Sequence, residues 1–414
     1  MTGKRLVLIG VVLAAVWAGA EEPAGPDWVP GLLTQEEAAE GFYPLFNGTD
    51  LDGWWIRGEN KTAFAVRDGV LVVTGEGGGG WLFTDREYEN FLLRYEYRSI
   101  DGIGNSGVGI RATKDGNPAY SGMEIQVIQP GWETPWQRAC ALYAVVPPAV
   151  EADNPMGEWN SVEVLCDGPR IRTTLNGQEL YDVKTTDFTE ESTKDVEWQK
   201  PLDNRAKSGH IALQDYANHV EFRTIRIKPL PGGEGWRPLF NGKDLSGWEV
   251  LGSSKWDVLP EGVLRVNNDG MTGRSALRTV EEFDDFELRL SVRAHDRANS
   301  GVFFRCSGDD PWPRTYEAQV DNHSPDQFTG AIWDQVPARE LRAVDNCWFL
   351  MHIVARGPSI QVAVNGKTVV DYISDRHREF PKGWICLQGH DPKSVVDFKD
   401  IEIKPIAGDN GEGS

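Results

Sequence analysis

A chain of 414 residues is longer than one ordinary hydrophobic core supports, so two domains are expected. Its 40% apolar and 10% aromatic content is that of a globular protein, and 45 Gly with 24 Pro point to many turns. A formal net charge of -21 argues against a nucleic-acid partner and gives no attraction to an anionic membrane surface.

In chain order, residues 1–20 read as a cleavable signal peptide. Lys4 and Arg5 precede the apolar run LVLIGVVLAAVWAGA, and Ala18 and Ala20 fit an A-x-A-like cleavage site before Glu21. The run is short for a membrane span, which takes about 20 residues. Export to the periplasm or the medium is therefore the expectation, with an uncleaved anchor as the alternative. No later segment is apolar enough to cross a bilayer. Residues 21–40 read as a linker with one short helix, because Thr34 and Glu37 in LLTQEEAAEG form a capping box.

From residue 42 the chain says most things twice. FYPLFNGTDLDGWWI (42 to 56) returns as WRPLFNGKDLSGWEV (236 to 250), and NSGVGIR (105 to 111) as NSGVFFR (299 to 305). YSGMEIQV (120 to 127) is matched by RTYEAQV (314 to 320), and TTLNGQELYD (173 to 182) by AVNGKTVVD (363 to 371). HIALQDYANHVEFRTIRIKPL (210 to 230) closes the first copy as ICLQGHDPKSVVDFKDIEIKPI (385 to 406) closes the second. The order is kept throughout, so this is a domain duplication. The boundaries expected are 41–230 and 236–406, joined by the turn-rich linker 231–235, with 407–414 as a disordered tail.

Within each copy the hydrophobic period is two. FLLRYEYRS, FELRLSVRA and VEFRTIRIK alternate between Gly, Asp and Asn turns. Asn176-Gly177 and Asn365-Gly366 are hairpin signals that suit a type I′ turn. Each copy thus reads as an antiparallel β-sandwich. The five cysteines, Cys140, Cys166, Cys306, Cys347 and Cys386, are odd in number and never spaced CxxC. None is matched in both copies, so the fold cannot depend on a shared disulfide, and most read as buried small apolar residues.

The ordered set PLFNG-x-DLxGW, NSGVxxR, YEAQV, VxxNG and LQxH before VxFxxIxIK resembles one family, that of 3-keto-disaccharide hydrolases and 3-keto-glucoside lyases, formerly domain of unknown function 1080. The resemblance runs from about residue 33 to 406, twice over. It implies an all-β fold of two tandem concanavalin A-like jelly-roll sandwich domains, and cleavage of 3-keto-glycosides. A separate sugar 3-dehydrogenase would have to supply the ketone, since nothing in the sequence binds a redox cofactor.

Alternation then nominates a site. In the second copy Val302, Phe304, Tyr316, Ala318, Val320, Ile385 and Leu387 fall on one face. Arg305, Glu317, Gln319, Asp321, Gln388 and His390 fall on the other, where strands about 4.8 Å apart would let them meet. Toward a 3-keto sugar, Glu317 or His390 suits the base that removes the acidified C2 hydrogen. Arg305 suits the cation that holds the enolate oxygen. Gln319, Asp321, Gln388 and Asn299 are expected to bind sugar hydroxyls. Asp321 with Glu317 could instead hold a divalent cation, so a metal is an open alternative to having no cofactor.

The first copy repeats Arg111, Glu124, Gln126 and Gln214, but Tyr216 stands where the second has His390. The chemistry is therefore expected in the second copy, with substrate binding or a structural role in the first, where Asp215 and His219 lie near enough to compensate. Trp54 and Trp248 read as core. Trp132, Trp136, Trp312 and Trp333 are candidates for stacking on a sugar. Gly107 and Gly301 suggest close approach of another group to the backbone. The plain alternative for Arg305 and Glu317 is a cross-strand ion pair, worth under about 1 kcal/mol. The rival function is a non-catalytic tandem lectin-like protein gaining avidity from its two domains.

Overall fold

Strict alternation becomes strict one-sided burial. Phe91–Ser99 and Phe286–Ala294 each bury every second residue against the core of their own domain. In the computed structural model, which describes residues 32–406 apart from 59–60, 77–78, 101, 103, 130–133, 196–198, 271–272 and 309–313, the chain folds as two β-sandwiches. The expected signal peptide and the tail 407–414 lie outside the described residues.

Each sandwich packs an eight-stranded antiparallel sheet on a five-stranded one, the arrangement of a concanavalin A-like jelly roll. The five-stranded sheets matter for function, and only their strands are labelled. In the first domain they are β1 (Trp54–Arg57), β2 (Gly80–Tyr88), β3 (Gly104–Ala112), β4 (Met123–Gln129) and β5 (Gly209–Asp215), in spatial order β1-β2-β5-β3-β4. In the second they are β6 (Trp248–Leu251), β7 (Ala276–Phe283), β8 (Asn299–Ser307), β9 (Arg314–Asp321) and β10 (Gly383–Gln388), ordered β6-β7-β10-β8-β9.

Local signals hold at several points. Asn176-Gly177 and Asn365-Gly366 have positive φ at both residues, as a type I′ turn requires. Thr34 and Glu37 close the capping box of the helix Gln35–Glu40. The Glu37 carboxylate also takes Arg94 (3.0 Å) and Arg226 (2.8 Å), which staples the helix to the large sheet. Those two guanidinium groups hold its pKa below the usual value despite burial. Trp54 and Trp248 are core residues whose indole N–H groups donate to Leu45 O (2.7 Å) and Leu239 O (2.8 Å).

The domains touch. Arg86 of the first reaches His352 Nδ1 (3.0 Å) and Thr368 Oγ1 (3.2 Å) of the second, and Asp52 pairs with Lys367. The linker is tied down by Gly232 N–H donating to Glu402 (2.8 Å). Gly366 is needed twice over: it holds a φ of 76°, and a Cβ there would lie 2.8 Å from the Tyr43 ring of the other domain.

Candidate functional site

In the second domain the outer face of the small sheet carries the expected row. Tyr316, Ala318 and Val320 enter the core, leaving Glu317, Gln319 and Asp321 opposite. Ile385 and Leu387 likewise point inward, and Gln388 points out to Glu317. Glu317 leans over β8, a lean that Gly301 permits: a Cβ there would stand 2.1 Å from Glu317 Oε1. Gln388 Nε2 donates to that oxygen at 2.6 Å. The Gln319 amide finds complementary partners with its nitrogen facing Glu317 Oε1 at 3.2 Å. Asn299 lies beside Gln319 at 3.4 Å. Burial pushes the Glu317 carboxyl up to about 8, against the pull of the Gln388 bond.

Three expected members do not join this cluster. Alternation assigns Arg305 to the groove, but it adopts a φ of 55° where the β8 register shifts against β9 and β10. That kink turns its guanidinium to the edge of the sandwich, fully buried. There it donates to Asp284 O (2.9 Å), Gly357 O (2.7 Å) and the Asp285 carboxylate (2.8 Å) and meets His377 (3.1 Å). Arg111 repeats the kink at a φ of 52° and donates to Glu89 O (2.8 Å) and Gly168 O (2.9 Å). Both arginines tie strand ends to turns, so neither is placed to hold an enolate or a sugar.

His390 follows β10 and pairs with its neighbour Asp391 at 2.9 Å, not with Glu317. The Asp321 carboxylate caps the next turn, accepting from His323 N (2.7 Å) and Ser324 Oγ (2.6 Å). Among the described residues no group of three or more His, Cys, Asp or Glu is arranged to hold a metal ion. Trp333 donates its backbone N–H to Glu317 O (3.0 Å) and leaves its ring exposed. Trp132 and Trp312 lie outside the described residues.

The first domain builds the same framework beside a cavity. Glu124 and Gln126 on β4, Asn105 on β3 and Gln214 on β5 border a cavity of about 190 Å³. Its wall comes from a turn of helix, Pro118–Ser121, carrying Tyr120, and from Tyr143 and Tyr216. Arg205 secures that turn by donating to Ala119 O (3.0 Å) and Gly122 O (3.1 Å). Glu124 lies over Gly107, where a Cβ would stand 1.8 Å from its Oε1. Ser106 Oγ pins β5 by donating to Gln214 O (2.7 Å), and Gln126 Nε2 donates to Asn105 Oδ1 (3.1 Å).

Glu124 is 3% exposed, and its carboxyl accepts no hydrogen bond from a described residue. Burial alone pushes it up to about 8. Burial also pushes the Tyr143 hydroxyl up to about 12, beside Tyr120 at a ring separation of 6.2 Å.

Residues 41–228 and 235–404 each match the family described as the 3-keto-alpha-glucoside-1,2-lyase-like domain. The chain belongs to that family. A 3-keto-disaccharide hydrolase of Bacteroides thetaiotaomicron is 28% identical over 232 residues, spanning 46% of this chain and 79% of the relative. A solved Parabacteroides distasonis structure, assigned to the glycosyl hydrolases, is 28% identical with a TM-score of 0.42, covering 48% of this chain and 98% of that one. A carbohydrate-binding module from Bacillus subtilis is 19% identical with a TM-score of 0.30, covering 38% of this chain and 94% of that one.

The two 3-keto-glucoside-lyase-like domains differ where Glu124 and Glu317 face the next strand. Glu124 stands opposite Gly109, and Glu317 opposite Phe303. In the second domain the aromatic ring fills that place and two amides engage the carboxylate. In the first the Trp81 ring covers Gly109, lying 3.4 Å from where a Cβ would stand, and Gln214 makes no side-chain hydrogen bond with a described residue. Of the compensating residues expected in the first copy, His219 pairs with Glu221 (3.4 Å) and Asp215 caps a turn through Ala217 N (3.0 Å). Sequence reasoning gave no weight to Tyr120 and Tyr143. The segment carrying Tyr120 is one residue longer than its counterpart, 12 residues between Arg111 and Glu124 against 11 between Arg305 and Glu317.

Proposed function

We propose that the first domain is the catalytic one, cleaving 3-keto-glycosides with Glu124 as the base at C2. The observation that carries this is a nearly enclosed carboxyl without a described protein donor, bordering a cavity the size of one sugar ring, in a member of this family. The ketone at C3 acidifies the C2 hydrogen, and Glu124 takes that proton. The electron pair passes to the C3 oxygen as an enolate, which the N–H groups of Gln126 and Gln214 are placed to meet. The enolate then collapses to a C1–C2 double bond as the C1–oxygen bond breaks, and the leaving oxygen takes a proton from a cavity-wall tyrosine or water. Water adds at C1, giving one proton back to the group that protonated the leaving oxygen, while protonated Glu124 returns its proton to C2, so the net change is hydrolysis.

Tyr120 and Tyr216, exposed by 46% and 55% on the cavity wall, would flank the leaving group. The ketone must come from a separate sugar dehydrogenase. The amino-terminal run supports export, and a secreted product whose mass begins at Glu21 would agree with it. Retention of residues 1–20 in the mature protein would not.

The test is to incubate the full-length protein with a 3-keto-glucoside and, separately, with its unoxidised parent, following aglycone release with and without chelator. Release from the ketone alone supports this reading. Binding of both compounds without turnover of either favours the tandem lectin. Loss of release in chelator would add a divalent cation to the site.

A further inference from the structure

We infer that Cys306 and Cys386 form a disulfide in the mature protein. Their sulfurs lie 3.1 Å apart, closer than a relaxed van der Waals contact, and both side chains are buried. A disulfide needs about 2.05 Å, so the sulfurs must approach by about 1 Å. The two residues sit on adjacent strands, β8 and β10, on the outer face of the small sheet. They pack there with Phe303, Trp384 and Ala276.

The duplication supplies an independent argument. Cys386 pairs in register with Phe303, and its counterpart Ala212 pairs with Gly109. Cys306 pairs with Trp384, and its counterpart Ala112 pairs with His210. Ala112 and Ala212 share one cluster in the first domain. The same two places are thus alanine together in one copy and cysteine together in the other. Two unrelated substitutions to buried thiols need not land on touching positions, whereas a bridge requires both at once. Cys140, Cys166 and Cys347 have no comparable neighbour among the described residues.

Forming the bond removes two protons and two electrons from the thiols, which pass to a disulfide oxidant such as oxidised glutathione or an oxidoreductase disulfide. In the folded domain burial raises both the Cys306 thiol and the barrier to its attack. Oxidation therefore belongs to folding, before Trp384 and Phe303 close over the pair. The bond locks β8, with Asn299 and Gly301, to β10, with Gln388, and so fixes the polar cluster of the second domain. It does not depend on which domain is catalytic.

The experiment refolds the full chain in a glutathione redox buffer, then denatures it in alkylating agent without reductant. Three of the five cysteines should be alkylated, rising to five after reduction, with one peptide pair linking 306 to 386. Reduction should lower melting of the second domain on the order of 10 °C, from the length of loop closed. The double variant Cys306→Ala, Cys386→Ala installs the first domain's own residues. It should fold, and its melting should ignore reductant. Five alkylated thiols without reductant, or a bond joining any other pair, would overturn the inference.

Discussion

Glu124 and Arg305 mark the two fates of a buried charged side chain. Glu124 borders a cavity with no described donor, so its neutral form is favoured in the folded state. An unfolded glutamate ionises near 4.5 and this one near 8. Its contribution to stability is complete below 4.5 and is lost as pH rises through about 8. Glu124→Gln should therefore melt higher than the native protein at pH 8 to 9 and match it below pH 4.5. As a base Glu124 must be ionised, so kcat/KM should climb as pH rises through about 8, measured on a 3-keto-glucoside.

Arg305 is the opposite case, a cation enclosed by partners. Arg305→Ala leaves Asp285 with only the Gly357 N–H and deprives two carbonyl groups of their donor, and should cost roughly 3–5 kcal/mol. Denaturant unfolding should show the loss, while turnover under native conditions is kept.

At the scale of the strand, the paired cores and the outward Glu317, Gln319 and Gln388 were legible because a period of two needs only counting. Arg305 was not, because one residue of positive φ inside NSGVFFR resets the count. Nothing in the residue type announces such a kink, and an arginine in that backbone region is uncommon. The different surroundings of Glu124 and Glu317 were not legible either. They turn on how Gln388 and Gln214 lie: Gln388 donates to Glu317, and Gln214 does not reach Glu124, which the residue type does not announce.

The strand β3 makes its own prediction. Gly107 has an ordinary backbone conformation, so Gly107→Ala should fold, yet its Cβ would collide with Glu124 Oε1 at 1.8 Å. Displacing that oxygen by an ångström should lower kcat/KM by about 100-fold. The matching Gly301→Ala should leave turnover near native. Steady-state kinetics of the two variants compares them.

The whole molecule is a duplication whose halves differ around one buried glutamate. Both keep the sandwich, the structural arginine and the glycine beneath a buried glutamate. One half leaves that glutamate facing a cavity. The other engages it with Gln388 and Gln319 and packs Phe303 beside it. Contacts such as Arg86 with His352 and Thr368 hold the halves together. The decisive comparison is 3-keto-glucoside turnover by the full chain carrying Glu124→Gln or Glu317→Gln. A fall of at least about 100-fold in the first variant with near-native turnover in the second is the predicted result. Loss of turnover in Glu317→Gln with activity kept in Glu124→Gln would contradict it.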